Sequence, residues 1–258
     1  MLNGNLWVRF SHQGREGFGR LKGERIEVCT GDMFGDPVVS GEMLTLAEVR
    51  LLTPCQPSKL IGLWNNSHAR ARSEGLHRPT HPLYFIKTAN SYAATGTVIH
   101  RPAGYDGQMV FEAELGIVIG RRCKAVSVSD AAPYIFGYTC ANDVTARDLL
   151  RLDPAFPHWT RAKGFDGFGV FGPAIATTPD FATLRIRALL DGEEKQNYPV
   201  SDLVFGPEEI VSRLSFDMTL EAGDLIICGT SAGTGAMPQG AHIEIAIDGI
   251  GRLENTVR

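Results

Sequence analysis

From Pro82 onward the sequence is a series of short apolar runs, each soon cut off by glycine or proline: PLYFIKT, GTVIHRP, FEAELGIVIG, YIFGYTCANDV, GVFGPAIATT, LRIRALLDG, DLIICGT and AHIEIAIDGIG. Runs of this length with turn residues at both ends fit strands, not helices. A doubly wound sheet would need regular helices between them, and that pattern is missing. The expected class is therefore α+β, mostly β, arranged as a mixed β-sandwich or roll. Helical pieces are expected at VTARDLL and PEEIVSRL, the second opened by Gly206 and Pro207, where proline is tolerated. With 258 residues, 43% of them hydrophobic, the chain can bury a core without a disulfide or metal staple.

Ahead of these runs, LWVRFSH alternates as a strand does, and FGRLKGERIEVCTG reads as a hairpin turning at Lys22 and Gly23. TLAEVRLL carries Thr45 and Glu48 at capping-box spacing. LLTPCQPSKLIGLW, with Pro54 and Pro57, then reads as a linker into a new strand. This predicts a small N-terminal domain over 1–55 and a larger one over 56–258.

Several function classes drop out. Five cysteines, an odd number without a C-x-x-C pair, fit neither a disulfide framework nor a zinc site. That usage, an N-terminus MLNGNLWVRF without signal-peptide character, and no apolar run approaching the roughly 18 residues of a membrane span predict a cytoplasmic protein with no membrane partner. A net charge of −4 with dispersed Lys and Arg offers no stripe for a phosphate backbone, so nucleic acid is not expected as a partner.

In FEAELGIVIG, Glu112 and Glu114 stand two apart at the mouth of an apolar run. On a strand they would share a face, and side-by-side carboxylates need compensation. A hard divalent cation, which prefers carboxylate oxygens, would supply it; a solvated strand edge is the alternative. A third oxygen ligand is expected at Asp143 in GYTCANDVTARD, where a strand pattern gives way to a helical one, although an aspartate there also suits an N-cap.

FEAELGIVIG, GYTCANDVTARDLL, WTRAKGFDGFGVFGP, GDLIICGTSAGTG and IDGIGRLENTV, in this order over roughly residues 58 to 258, resemble the fumarylacetoacetate hydrolase family. The resemblance implies a mixed β roll, commonly dimeric, that binds Mg2+ or Mn2+ through Glu112, Glu114 and Asp143. Three carboxylates and one divalent cation leave a charge of about −1, so an anionic substrate needs cations nearby. Lys163 is the first candidate, as a catalytic group beside the metal, with Lys87 and Arg147 as substrate-binding residues. GTSAGTG lacks the ending of a phosphate loop; by resemblance it lies near the site, which makes Thr230 and its neighbouring amides candidates for a substrate carboxylate.

Two segments depart from the family pattern. Many relatives carry N-Y-x-x-H-x-x-E where this chain has WNNSHARA: His68 matches the histidine, Trp64 and Asn65 replace Asn-Tyr, and Ala71 stands at the Glu position. An imidazole without an orienting carboxylate is a weaker general base; Glu74 is an acidic substitute, but three residues further along it would face elsewhere on a helix. Leu150 occupies a place where relatives often have Gln. The expected function is metal-dependent cleavage of a carbon–carbon bond by water in a small anionic 2-oxo acid of the acylpyruvate type, from the breakdown of aromatic compounds. Decarboxylation or isomerisation, which require no activated water, is the alternative; a catalytically silent metal-binding protein is the further one.

Overall fold

The computed structural model describes residues 6–258, so the first five residues of the expected N-terminal unit lie outside it. Among the described residues the largest element is a twelve-stranded sheet. Its path runs through Val38–Thr45, Arg25–Thr30, Arg15–Lys22, Leu6–His12, Gly169–Ala176, Ile135–Asp143, Ala113–Ile119, Leu225–Ile227, Leu60–Trp64 and Leu83–Lys87, and two short strands pair off this path. A five-stranded sheet contains Arg185–Leu190, Glu193–Pro199 and His242–Ile247, and a three-stranded one contains Met109–Phe111, Thr145–Ala146 and Gly235–Ala236. The class is mostly β, as the run lengths predict.

Ala113–Ile119 shows why that run is apolar without interruption. It is buried at every position: Leu115, Ile117 and Ile119 enter the large core, while Val118 enters a second core with Trp7, Phe171 and Ile175. A strand covered on both faces cannot alternate apolar with polar residues. The hairpin at Lys22 and Gly23 forms as expected, with Gly23 at φ +62°. Leu6 and Trp7 pair with Ala176 and Ile175, so the N-terminal strands extend the same large sheet.

Two local expectations need correction. Glu112 is not within a strand; it lies at the break between Met109–Phe111 and Ala113–Ile119, where the chain passes from the three-stranded sheet to the large one. Side-chain chemistry holds the break: the Glu112 N–H donates to Asn142 Oδ1 at 3.0 Å, and its carbonyl accepts from the Asp143 N–H at 2.9 Å. VTARDLL is not an α-helix but the short strand Thr145–Ala146 followed by a 3-10 turn over Arg147–Arg151. The α-helix after Gly206 forms over Pro207–Asp217, and two further short helices cover His68–Glu74 and Trp159–Lys163.

Candidate metal centre and active-site cavity

Asp143 closes the strand Ile135–Asp143, which pairs antiparallel with Ala113–Ile119 so that Ala113 faces Asn142. This register brings Asp143 beside Glu112 and Glu114. Each of the three carboxylates offers an oxygen within 4.8 Å of the others, a spread that one hard cation can bridge. All three are buried.

The charges around them are uneven. Lys163 donates to Glu112 Oε2 at 2.7 Å, to Thr145 Oγ1 at 2.8 Å and to Asp143 Oδ2, so all three ammonium hydrogens are committed. Lys87 donates to Asp143 Oδ1 at 2.6 Å and to the Val144 carbonyl at 3.2 Å. Arg70 reaches Glu112 Oε1 at 3.1 Å and holds Glu74 Oε1 at 2.9 Å. Glu114 accepts the Gly229 N–H at 2.6 Å and, among the described residues, touches no cation.

The proton equilibria follow this pattern. Burial pushes the Glu112 carboxyl up, but the Lys163 ammonium and the Arg70 guanidinium outweigh it and bring it down to about 2. Burial, reinforced by the charges of Asp143 and Glu112, pushes Glu114 well above the carboxylate range. Burial also lowers Lys87 to about 8 against the pull of Asp143, whereas Asp143 and Glu112 overcome burial at Lys163 and raise it. A third buried carboxylate without a cationic partner is what a divalent ion would satisfy, and an all-oxygen donor set suits Mg2+ or Mn2+. Glu112, Glu114 and Asp143 therefore fit such an ion. With Lys87 and Lys163 inside the cluster, three ionised carboxylates, two ammonium groups and a divalent ion leave a net charge of +1, not the −1 expected from the carboxylates and the ion alone.

Glu112 opens onto a cavity of about 1050 Å³. One wall is aromatic: Lys163 Nζ lies 4.7 Å from the Phe85 centroid, Phe85 stacks on Trp159 at 5.4 Å, and Trp159 meets Trp64 at 5.8 Å. Arg147 and Arg151, which form no ion pair among the described residues, line it elsewhere, together with Leu150 and Thr234.

Lys163, Glu112, Glu114, Asp143 and Lys87 are thus gathered into one cluster, of which Glu112 lines the cavity and the other four lie off its wall. Thr230 is buried, and its hydroxyl accepts from Gln196 Nε2 at 2.9 Å; the residue of that loop on the wall is Thr234. His68 begins the helix His68–Glu74, half-buried and off the wall, and its ring makes no hydrogen bond among the described residues. The helix presents Arg70 and Glu74 to the cavity instead. Sequence reading overlooked Arg70, Thr145 and the backbone amide of Gly229. The i,i+4 spacing of Arg70 and Glu74 behind Ser67, which caps the helix by accepting the Arg70 N–H at 3.0 Å, was the available signal.

The family model described as "Fumarylacetoacetate (FAA) hydrolase C-terminal" matches residues 59–258. The chain belongs to the fumarylacetoacetate hydrolase family. Residues 6–54 match a second model, "Rv2993c-like, N-terminal". Protein Rv2993c of Mycobacterium tuberculosis is 40% identical over 227 residues, 87% of this chain and 84% of that one. The oxaloacetate tautomerase YisK of Bacillus subtilis is 33% identical over 83% of this chain and 75% of its own length. The crystal structure of 2-hydroxyhepta-2,4-diene-1,7-dioate isomerase from Mycobacterium marinum superposes with a TM-score of 0.89 at 36% identity, covering 98% of both chains. This member of the fumarylacetoacetate hydrolase family thus has enzymes, isomerases among them, as relatives across nearly its whole length.

Proposed function

We propose that this protein is a divalent-metal-dependent isomerase that moves a proton between carbon and oxygen in a 2-oxo acid, interconverting its keto and enol forms. The observation that carries this reading is the contrast at the base of the cavity. Glu112 and Thr145 line it and both accept hydrogen bonds from Lys163, while His68, the residue expected to activate water, stands off the wall and makes no hydrogen bond to this cluster among the described residues. A bound Mg2+ or Mn2+ supplies Lewis-acid polarisation of the 2-oxo group. Lys163 keeps a positive charge beside the place where an enolate forms, acting through its field because its hydrogens are already committed. Arg147 and Arg151 draw the anionic substrate to the mouth. The aromatic wall excludes water from one side of the cavity, which strengthens those electrostatic effects.

Water-dependent cleavage of an acylpyruvate would require, in addition, a base next to a water. Decarboxylation passes through the same enolate and differs by releasing CO2. The test is deuterium exchange at C3 of oxaloacetate in D2O, followed by NMR with Mg2+ and again after chelation. Exchange accelerated by the enzyme, dependent on Mg2+ and lowered about a hundredfold by Lys163→Met, is expected. Exchange no faster than in buffer would sink the reading.

A further inference from the structure

A proton shift needs a group that takes the proton from carbon, and the cavity walls hold few. Arg70, Arg147 and Arg151 carry guanidinium groups, which offer donors and no acceptor. Tyr84 is kept in its phenol form, raised first by burial and then by Asp217. Both oxygens of Glu112 are held, by Arg70 and Lys163. Asp148 Oδ2 accepts the Gln108 N–H at 2.7 Å and the Tyr105 hydroxyl at 3.0 Å, which stabilise it as a poor base. Asp153 receives the Ala155 N–H in an exposed turn and bonds to no residue of the metal cluster.

Glu74 remains. It sits in the last turn of the helix His68–Glu74, with its side chain 39% exposed on the cavity wall. Arg70 Nε holds its Oε1 at 2.9 Å, and its Oε2 has no partner among the described residues. The same guanidinium grips Glu112 Oε1 at 3.1 Å, so one arginine fixes the distance between the free carboxylate oxygen and the metal cluster.

Resting on the isomerase reading above, we infer that Glu74 is the proton carrier of the reaction, oriented by Arg70 and acting without His68. The C3–H bond of the 2-oxo acid breaks as its proton passes to Glu74 Oε2. The bonding pair becomes the C2–C3 double bond, and the carbonyl pair moves onto the C2 oxygen. Glu74 then delivers the proton to that oxygen, which completes the enol and restores the carboxylate; ketonisation runs the same steps backwards. No oxidant or co-reactant enters.

The experiment uses the full chain with Mg2+ and compares wild type, Glu74→Gln, Glu74→Asp and Asp153→Asn for oxaloacetate tautomerisation and C3 deuterium exchange. Calorimetry gives the affinities for Mg2+ and for oxalate, an enolate mimic with no C3 proton. Glu74→Gln should lose about a hundredfold in kcat with KM within about threefold, at unchanged Mg2+ and oxalate affinity. Glu74→Asp, which keeps a carboxylate, should retain about tenfold more activity than the Gln variant. Asp153→Asn should match wild type. A Gln variant within about threefold of wild-type kcat, equal losses in both Glu74 variants, or loss of oxalate binding along with activity would overturn the assignment. If wild type neither tautomerises nor exchanges oxaloacetate, the isomerase reading fails first and takes this one with it; activity in both wild type and Glu74→Gln removes only this one.

Discussion

At the scale of single residues the centre is governed by one imbalance: Glu112 and Asp143 have cations on them and Glu114, among the described residues, has none. The two kinds of carboxylate answer pH in opposite ways. Glu112, depressed to about 2, contributes stability that is present above its ordinary value and lost as pH falls through about 2. Glu114 is raised, so in the metal-free protein it holds a proton that the unfolded chain has already released. Its contribution is present at acid pH and fades as pH rises past the ordinary carboxylate value. A cation that binds Glu114 must displace that proton. Calorimetry of Mg2+ binding in buffers of different ionisation enthalpy should therefore show proton release, with affinity increasing as pH rises above the ordinary carboxylate range. Binding with no proton release and no change with pH would mean that Glu114 is not a ligand.

At the scale of elements, the helix His68–Glu74 decides what faces the cavity. It is short, and its start is fixed by a turn far away in sequence: Asp202 Oδ1 accepts the Ala69 N–H at 2.9 Å, and Asp202 Oδ2 accepts the hydroxyls of Ser67 and Ser231, the latter at 2.8 Å. Isolated helices this short do not hold themselves together in water. Asp202→Ala should cost about 1–3 kcal/mol of stability and speed amide hydrogen exchange over residues 68 to 74 while leaving the large sheet unchanged. Unaltered exchange there would show that the anchor does not matter. The same helix marks where sequence reading stops. The strands were legible because double-sided burial demands unbroken apolar runs, and Asp143 was legible as a strand end. That Glu112 meets Arg70, 42 positions away, depends on Asp202 and Ser231 setting the helix, and no local pattern encodes a contact of that kind. The place of His68 off the wall follows from the same anchoring, as does the burial of Thr230 against Gln196 from the five-stranded sheet.

At the scale of the whole molecule, two sheets and a helix meet around one cluster. The large sheet supplies Glu114, Asp143 and Lys87; the break between two sheets supplies Glu112; the small sheet supplies Thr145; and the helix Trp159–Lys163 supplies Lys163. Groups fixed this way hold their geometry before any substrate arrives, and that preorganisation favours stabilisation of developing charge. Family membership and the fold were readable from ordered motifs, because those motifs are the strand ends and turns that build the cluster. The choice between hydrolysis and isomerisation was not, since it rests on which side chains of one short helix reach the cavity. A metal-assisted proton shift needs neither hydrolytic water nor His68. Its most direct test measures, with Mg2+ in one buffer, tautomerisation of oxaloacetate and cleavage of an acylpyruvate by wild type and by His68→Ala. Tautomerisation should be the faster reaction and stay within about threefold of wild type in His68→Ala. Faster acylpyruvate cleavage that falls several hundredfold in His68→Ala would contradict it.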